Sequence, residues 1–120
     1  QINTYMDSIL NDKTELIVEG QFSYSNININ PQYNNNIYLN RVVSIWTNSL
    51  PGVTTIKFIF IENGFIRPGE VCIVRIIIWH PFPIRTELLN SEKLFIGHSR
   101  TNFFGEFVCK KIIGYLQELE

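Results

Sequence analysis

The chain is poor in the residue types that hold metals and carry acid–base chemistry. Only two cysteines and two histidines occur among its 120 residues. They lie far apart and match no zinc-binding spacing, so we expect no metal and no cofactor. Cys72 and Cys109 both lie in apolar, strand-like segments, which is typical of buried free thiols, although a disulfide between them is an alternative. Reduced thiols would indicate a cytoplasmic protein.

A surplus of charge of one sign and long apolar runs are also absent. Ten basic and eleven acidic side chains leave a formal net charge of −1, whereas nucleic-acid-binding proteins usually carry a net basic field. No apolar run approaches the roughly 20 residues that are needed to span a bilayer. The sequence therefore predicts a protein with a mixed, solvated surface and no membrane association.

What the chain does contain is strand-like alternation of apolar and polar residues, with 13% aromatic side chains. This alternation begins at Glu15 and recurs in six segments separated by turns. We predict strands over residues 15–24, 41–47, 53–62, 70–79, 93–97 and 103–115, with residues 84–91 as a connection. Six strands with short turns favour an all-β fold, a single closed antiparallel β-barrel, because closure removes exposed strand edges. We assign residues 1–13 to an N-terminal arm and residues 14–120 to the barrel.

Turn residues mark the boundaries of these strands. Gly20 predicts a bulge or a sharp bend in the first strand, and the asparagine-rich segment 25–40 is interpreted as a loop. Asn63-Gly64 predicts a hairpin turn with positive φ at both residues, and Pro68-Gly69 suits the centre of a type II turn. The strand that follows is apolar on both faces except at Arg75, so its outer face should be covered or adhesive.

Several segments resemble the C-terminal β-barrel of elongation factor Tu. They are Pro-Gly-Glu at 68–70, Ile-Ile-Ile-Trp-His-Pro at 76–81, Leu-Phe-Ile at 94–96, Arg-Thr at 100–101, Gly-Glu-Phe-Val at 105–108 and Ile-Ile-Gly at 112–114. The arginine-led segment 41–47 and the turn that follows it look like an earlier strand of that barrel. The resemblance covers about residues 14 to 115.

The resemblance implies a barrel that does no chemistry and that contacts transfer RNA and protein partners. Arg41, Arg100 and Thr101 match arginine and threonine positions of that family. Gly97-His98-Ser99 replaces the family's charged, double-glycine lead into its hairpin, and Val42 and Val43 replace a proline and a glutamine. No GxxxxGK[ST] motif occurs, so we expect no GTP hydrolysis.

The aromatic residues allow two interpretations. Trp46, Trp79, Phe82, Phe103 and Phe104 do not all fit comfortably inside one small barrel; most of them are expected in the core, and the alternative is an exposed aromatic patch at a barrel end, near residues 80–83 and the 98–104 hairpin. Aromatic residues and arginine are favoured at protein interfaces. The candidate partner-binding residues are Arg41, Trp79, Phe82, His98, Arg100, Thr101, Phe103 and Phe104.

We therefore expect a non-enzymatic protein that binds a protein partner, either as an immunity protein that neutralises a bacterial toxin or as an adaptor. The alternative is an RNA-binding module that uses Arg41, Arg100, Lys110 and Lys111. A third hypothesis is a small hydrolase centred on His98. Neighbouring residues on an extended chain point to opposite faces, so His98 and Ser99 do not by themselves form a catalytic pair. No small-molecule substrate is expected.

Overall fold

The computed structural model describes residues 15–26, 35–49 and 52–115. The N-terminal arm assigned to residues 1–13 lies outside this part, and so do residues 27–34 of the asparagine-rich loop. The elements in order are β1 (Leu16–Tyr24), β2 (Ile37–Tyr38), β3 (Val42–Trp46), β4 (Val53–Ile61), β5 (Phe65–Ile66), β6 (Val71–Ile78), a 3-10 turn (Phe82–Ile84), α1 (Arg85–Asn90), β7 (Lys93–Ser99) and β8 (Asn102–Tyr115).

Six of the strands form a closed antiparallel barrel in the order β1-β6-β4-β3-β7-β8. Closure is made by β1, which pairs with β6 on one side and with β8 on the other. The predicted six-stranded closed barrel is therefore confirmed. Each strand has a neighbour on both sides, which is how such a fold avoids an unpaired edge.

The barrel interior is filled by alternate residues of the six strands. The three phenylalanines Phe22, Phe58 and Phe107 are fully buried, and the rings of Phe22 and Phe58 lie 5.6 Å apart between centroids. Two further elements add to the core: Ile84 of the 3-10 turn and Leu88 of α1 are both buried. Period-two alternation thus leaves the outer positions of each strand free for other roles.

The predicted type II turn is confirmed, whereas the bulge expected at Gly20 lies on another strand. The amide of Glu70 donates to the carbonyl of Arg67 over 3.1 Å, and Gly69 has a φ of 89°, as a type II turn requires. The pairing of β1 with β8 shifts register between Glu19 and Gly20. The shift leaves Lys110 of β8 without a partner on β1, so the extra residue lies on β8 and not on β1, where the bulge was expected.

Two other expectations were wrong. The connection at residues 84–91 contains α1, a helix of only six residues, which is too short to show helical periodicity. At Asn63-Gly64, only Gly64 has positive φ, because Glu62 and Asn63 occupy the centre of a turn in which Gly64 N–H donates to Ile61 O over 2.8 Å. The chain runs on from this turn into β5, which pairs with β2, so no tight β4–β6 hairpin forms.

Both cysteines are free and buried. Burial raises the pKa of Cys109 to about 11 and outweighs a backbone hydrogen bond of Lys111, which lowers it. Burial also raises the pKa of Cys72. Both thiols therefore stay protonated near neutral pH and behave as small core side chains.

Two buried threonines allow a stability test with the same substitution. Thr54 is 7% exposed and its hydroxyl has no hydrogen-bond partner among the described residues. Replacing it with valine should raise the free energy of unfolding by about 1 kcal/mol, because the cost of burying that hydroxyl disappears. Urea denaturation of wild type and Thr54→Val measures the difference.

Thr47 is the matched control. It is also buried, but its Oγ1 donates to Ser49 O over 2.9 Å and accepts from Ser49 N over 3.0 Å. Thr47→Val should therefore lower the free energy of unfolding by about 1–2 kcal/mol. Changes of the same sign in both variants would contradict this account of the two hydroxyls.

Candidate functional site

Three of the predicted site residues meet at one end of the barrel. Arg41 precedes β3, His98 lies near the end of β7, and Phe104 lies near the start of β8. They gather beside Tyr24, the last residue of β1, whose hydroxyl donates to the carbonyl of Asn35. We call Tyr24, Arg41, His98 and Phe104 the barrel-end cluster.

The cluster is held by one hydrogen bond and three ring contacts. Nη2 of Arg41 lies 2.8 Å from Nε2 of His98, and the Arg41 guanidinium lies 5.5 Å from the Phe104 ring centroid. The edge of the His98 ring meets Phe104 at 4.7 Å between centroids, and Tyr24 meets Phe104 at 6.1 Å. Because arginine only donates, Nε2 of His98 must accept, and the imidazole is neutral in this arrangement.

Electrostatics favours the same neutral state. Partial burial lowers the pKa of His98, and the positive charge of Arg41 lowers it further. A histidine that serves as a general base is usually oriented by a carboxylate, whereas His98 contacts a cation. This contact gives the hydrolase hypothesis no support.

The tip of the β7–β8 hairpin covers Trp46. The alternation in β3 directs Trp46 outward, yet it is only 5% exposed. Gly97 allows this cover, since a Cβ atom at that position would lie 3.0 Å from the indole. Arg100 fastens the tip: its Nη1 donates to Thr47 O over 2.9 Å and its Nη2 to Ser49 O over 3.3 Å.

Thr101 lies on the same tip but makes only a local contact. Its Oγ1 is 3.1 Å from Oγ of Ser99, and the side chains of both residues remain exposed. Of the two positions matched to the Arg-Thr pair of the resemblance, the arginine thus fastens the hairpin and the threonine does not.

Trp79 and Phe82 do not join the barrel-end cluster. Trp79 follows Ile78, which pairs with Leu16 at the start of β1, whereas the cluster surrounds Tyr24 at its end. The nine residues of β1 separate these points by roughly 26 Å. Phe82 is exposed and has the Arg85 guanidinium 3.7 Å from its ring centroid. Arg100 binds the carbonyl of Thr47, and a Cβ atom at Gly52 would lie 2.4 Å from Thr47 Oγ1 and 3.3 Å from Pro83 O, so residues 80–83 and the hairpin tip both border the turn after β3. The aromatic patch expected from the sequence at these two segments stays a prediction.

Phe103 instead borders a groove on the outer surface that the sequence did not indicate as a site. The groove has a volume of about 320 Å³. Its lining residues are Ser23, Tyr24, Ser25, Gly69, Val71, Phe103, Gly105 and Glu106. Ser23 pairs with Val71 on one side and Glu106 on the other, so its small side chain leaves a depression between larger neighbours. We call this depression the outer groove.

Lys110 and Lys111 are exposed and line a different groove of about 240 Å³ between α1 and β8. They lie six residues or more along β8 from Phe104, which corresponds to roughly 20 Å. Lys110 and Lys111 therefore do not form one basic patch with Arg41 of the barrel-end cluster.

Comparisons of the chain with protein-family models, with curated proteins and with solved structures find no match. Within residues 15–26, 35–49 and 52–115, no three histidine, cysteine or acidic side chains are grouped so that they could hold a metal ion. The helical segments of this same part are too short to cross a bilayer.

We predict that His98 titrates below its ordinary pKa of about 6.5, because folding penalises the imidazolium. Relative to the unfolded chain, folding disfavours protonation, so the stability associated with this group is present above pH 6.5 and is lost as pH falls through the folded pKa. The Arg41→Gln variant should raise the pKa of His98 only part of the way, since burial, the larger cause, persists. A proton NMR titration of the His98 ring measures both values.

Arg85→Gln is the control, because Arg85 stacks on Phe82, outside the barrel-end cluster. It should leave the His98 titration unchanged. An equal pKa in wild type and Arg41→Gln would contradict the electrostatic role of Arg41.

The two hydrogen bonds that Arg100 donates to Thr47 and Ser49 yield a second prediction for this site. In a Trp79→Phe background, where Trp46 is the remaining indole, Arg100→Ala should shift Trp46 fluorescence to longer wavelength and increase its quenching by iodide. The reason is that two hydrogen bonds fasten the tip that covers the indole. Thr101→Ala on the same tip should change neither signal. Unchanged fluorescence in Arg100→Ala would show that other contacts hold the hairpin down.

Proposed function

We propose that this protein is a non-enzymatic barrel that binds a protein partner through its outer surface. The observation that carries the proposal is a strip of apolar side chains across the outside of the barrel. It consists of Phe60 on β4, Val71 and Ile73 on β6, and Phe103 on β8; we call it the apolar strip. Val71 is 55% exposed and Phe60 is 40% exposed. Exposing these two apolar side chains to water does not stabilise the protein as a monomer.

The strand pairing makes this strip continuous. Val71 and Ile73 lie two residues apart on one face of β6, and Val71 and Phe103 border the same outer groove. Phe60 pairs with Arg75, the next outward residue of β6. An apolar band with a groove at one end has the character of a docking surface.

The charged residues favour a protein over RNA as the partner. The resemblance assigns Arg41 and Arg100 to RNA contact. In this structure Arg41 donates to His98, and Arg100 donates to the carbonyls of Thr47 and Ser49. The formal net charge of −1 gives little attraction for phosphate. RNA binding is the alternative, and it lacks a specific observation in its favour.

The biological setting that fits these features is the one the sequence suggested. A non-catalytic barrel of the elongation factor Tu C-terminal type would serve as an immunity protein for a bacterial toxin or as an adaptor. The free, buried thiols are consistent with a cytoplasmic location. The six-stranded closed barrel is compatible with this type and is shared by many functions.

The test is a comparison of two Val→Glu variants in affinity capture from the native lysate. Val71→Glu places a charge in the apolar strip and should reduce stoichiometric capture of the partner by about tenfold or more. Val53→Glu makes the same change at an exposed valine at the start of β4, outside the strip, and should capture as the wild type does. Circular dichroism verifies that both variants fold.

Equal capture by both variants, or equal loss in both, would contradict the proposal. Recovery of RNA alone would contradict it too, and a filter-binding titration with transfer RNA would then show affinity that falls steeply as salt rises.

A further inference from the structure

The surface of this protein repeatedly places an arginine over a phenylalanine ring. Arg41, Arg67, Arg75 and Arg85 stack on Phe104, Phe65, Phe60 and Phe82, with guanidinium-to-centroid distances between 3.7 and 5.6 Å. A chain of this length averages about one or two such contacts. The repeated geometry shows how guanidinium groups are held on this barrel.

Two of these stacks add a carboxylate at the edge of the guanidinium. Arg75 lies 5.3 Å from the centroid of Phe60 and donates from Nε to Glu19 Oε1 over 2.8 Å. Arg67 lies 5.6 Å from the centroid of Phe65, and its Nε is 3.4 Å from Glu70 Oε2. A phenyl face together with a nearby carboxylate is therefore an arginine-holding pair in this structure.

The outer groove contains the same two groups without an arginine of its own. Phe103 and Glu106 both line it. Phe103 meets Phe95 at 6.1 Å between centroids, and no guanidinium within residues 15–26, 35–49 or 52–115 lies over either ring. The carboxylate of Glu106 has Nζ of Lys93 at 3.4 Å, in an ion pair whose two side chains are about half exposed.

We propose that the outer groove binds an arginine side chain presented by the protein partner. The aliphatic stem would lie along Val71 above the small Ser23, the guanidinium would stack on Phe103, and its N–H groups would pair with the Glu106 carboxylate. This inference rests on the proposed function, since it names the residue through which a partner engages the apolar strip.

Arginine fits the groove better than lysine does. A planar guanidinium can stack on a ring and at the same time donate two parallel hydrogen bonds to a carboxylate, whereas an ammonium acts as a compact, strongly hydrated charge. The exposed Lys93–Glu106 ion pair is worth little, so an incoming guanidinium can displace Lys93 from Glu106.

The test is a titration of the whole ¹⁵N-labelled chain with the peptide acetyl-Gly-Gly-Arg-Gly-Gly-amide, followed by amide NMR shifts. Saturable shifts should appear at Ser23, Val71 and Glu106, with a dissociation constant on the order of millimolar for so small a contact. The matched peptide with citrulline has nearly the same shape without the charge and should give no saturable shifts. A lysine peptide should bind more weakly than the arginine peptide.

Three variants separate a binding role from a structural one. Glu106→Gln should weaken binding about three- to tenfold, and Phe103→Leu, which retains apolar bulk without a π face, about two- to fivefold. Lys93→Gln should strengthen binding about twofold, because it removes the competitor for Glu106. A change that merely disturbed the fold would not produce this gain.

Equal shifts with the citrulline peptide, shifts scattered over the barrel, or no saturable shifts would overturn the arginine site. This result is separate from the capture experiment. If the arginine peptide does not bind but Val71→Glu still abolishes capture, the partner docks without an arginine. If the peptide binds but Val71→Glu does not change capture, the proposed function is wrong and the groove remains a guanidinium site.

Discussion

The structure depends on β1 being paired along both of its edges. Its residues face β6 on one side and β8 on the other, from Leu16 opposite Ile78 and Tyr115 to Ser23 opposite Val71 and Glu106. Because this double pairing closes the sheet, the interior becomes a sealed core of aromatic and β-branched side chains. The same geometry fixes what lies outside, including the small Ser23 between Val71 and Glu106.

Closure also explains why the proposed docking surface is on the outside of the barrel. The interior is filled by side chains such as Phe22, Phe58 and Phe107. The proposed binding therefore uses outward positions, where phenylalanine rings would be exposed. Arginines cover four of these rings, and this cover reduces the apolar area in contact with water while retaining flat, well-ordered contact surfaces.

The β7–β8 hairpin links the core to this surface. Through His98 and Phe104 it joins the barrel-end cluster, through Arg100 it is fastened to the turn after β3, and through Phe103 it provides one wall of the outer groove. Gly97 is the point where the hairpin approaches Trp46 closely enough to cover it. The position of one short tip thus determines three local environments.

The strands could be predicted from sequence because their signal is local. Alternation and turn residues predicted all six barrel strands within two residues of their ends, since period-two burial and Pro-Gly chemistry are visible within a few positions. The helix α1 was missed because six residues contain too few apolar positions for a periodic pattern. The β2–β5 pair was missed because two-residue strands show no alternation.

The site was predictable only in part, because its contacts join distant segments. The resemblance and the aromatic content named Arg41, His98 and Phe104 as candidates, but not their contact, because the Arg41–His98 bond spans 57 positions along the chain. Trp79 and Phe82 were grouped with them for their aromatic character, and their place in one patch stays a prediction. The outer groove depends on Ser23 lying between β6 and β8, which only the register reveals. The apolar outer face of β6 was the one sequence signal that pointed toward it.

The pairing of the first and last barrel strands has a consequence for how the molecule is made. During synthesis on the ribosome, β1 emerges early, but the barrel cannot close until β8 has also emerged. Contacts between segments so far apart in sequence form slowly and expose unsatisfied strands in the meantime. Until β8 leaves the exit tunnel, β1 therefore lacks one of the two neighbours that it has in the closed barrel.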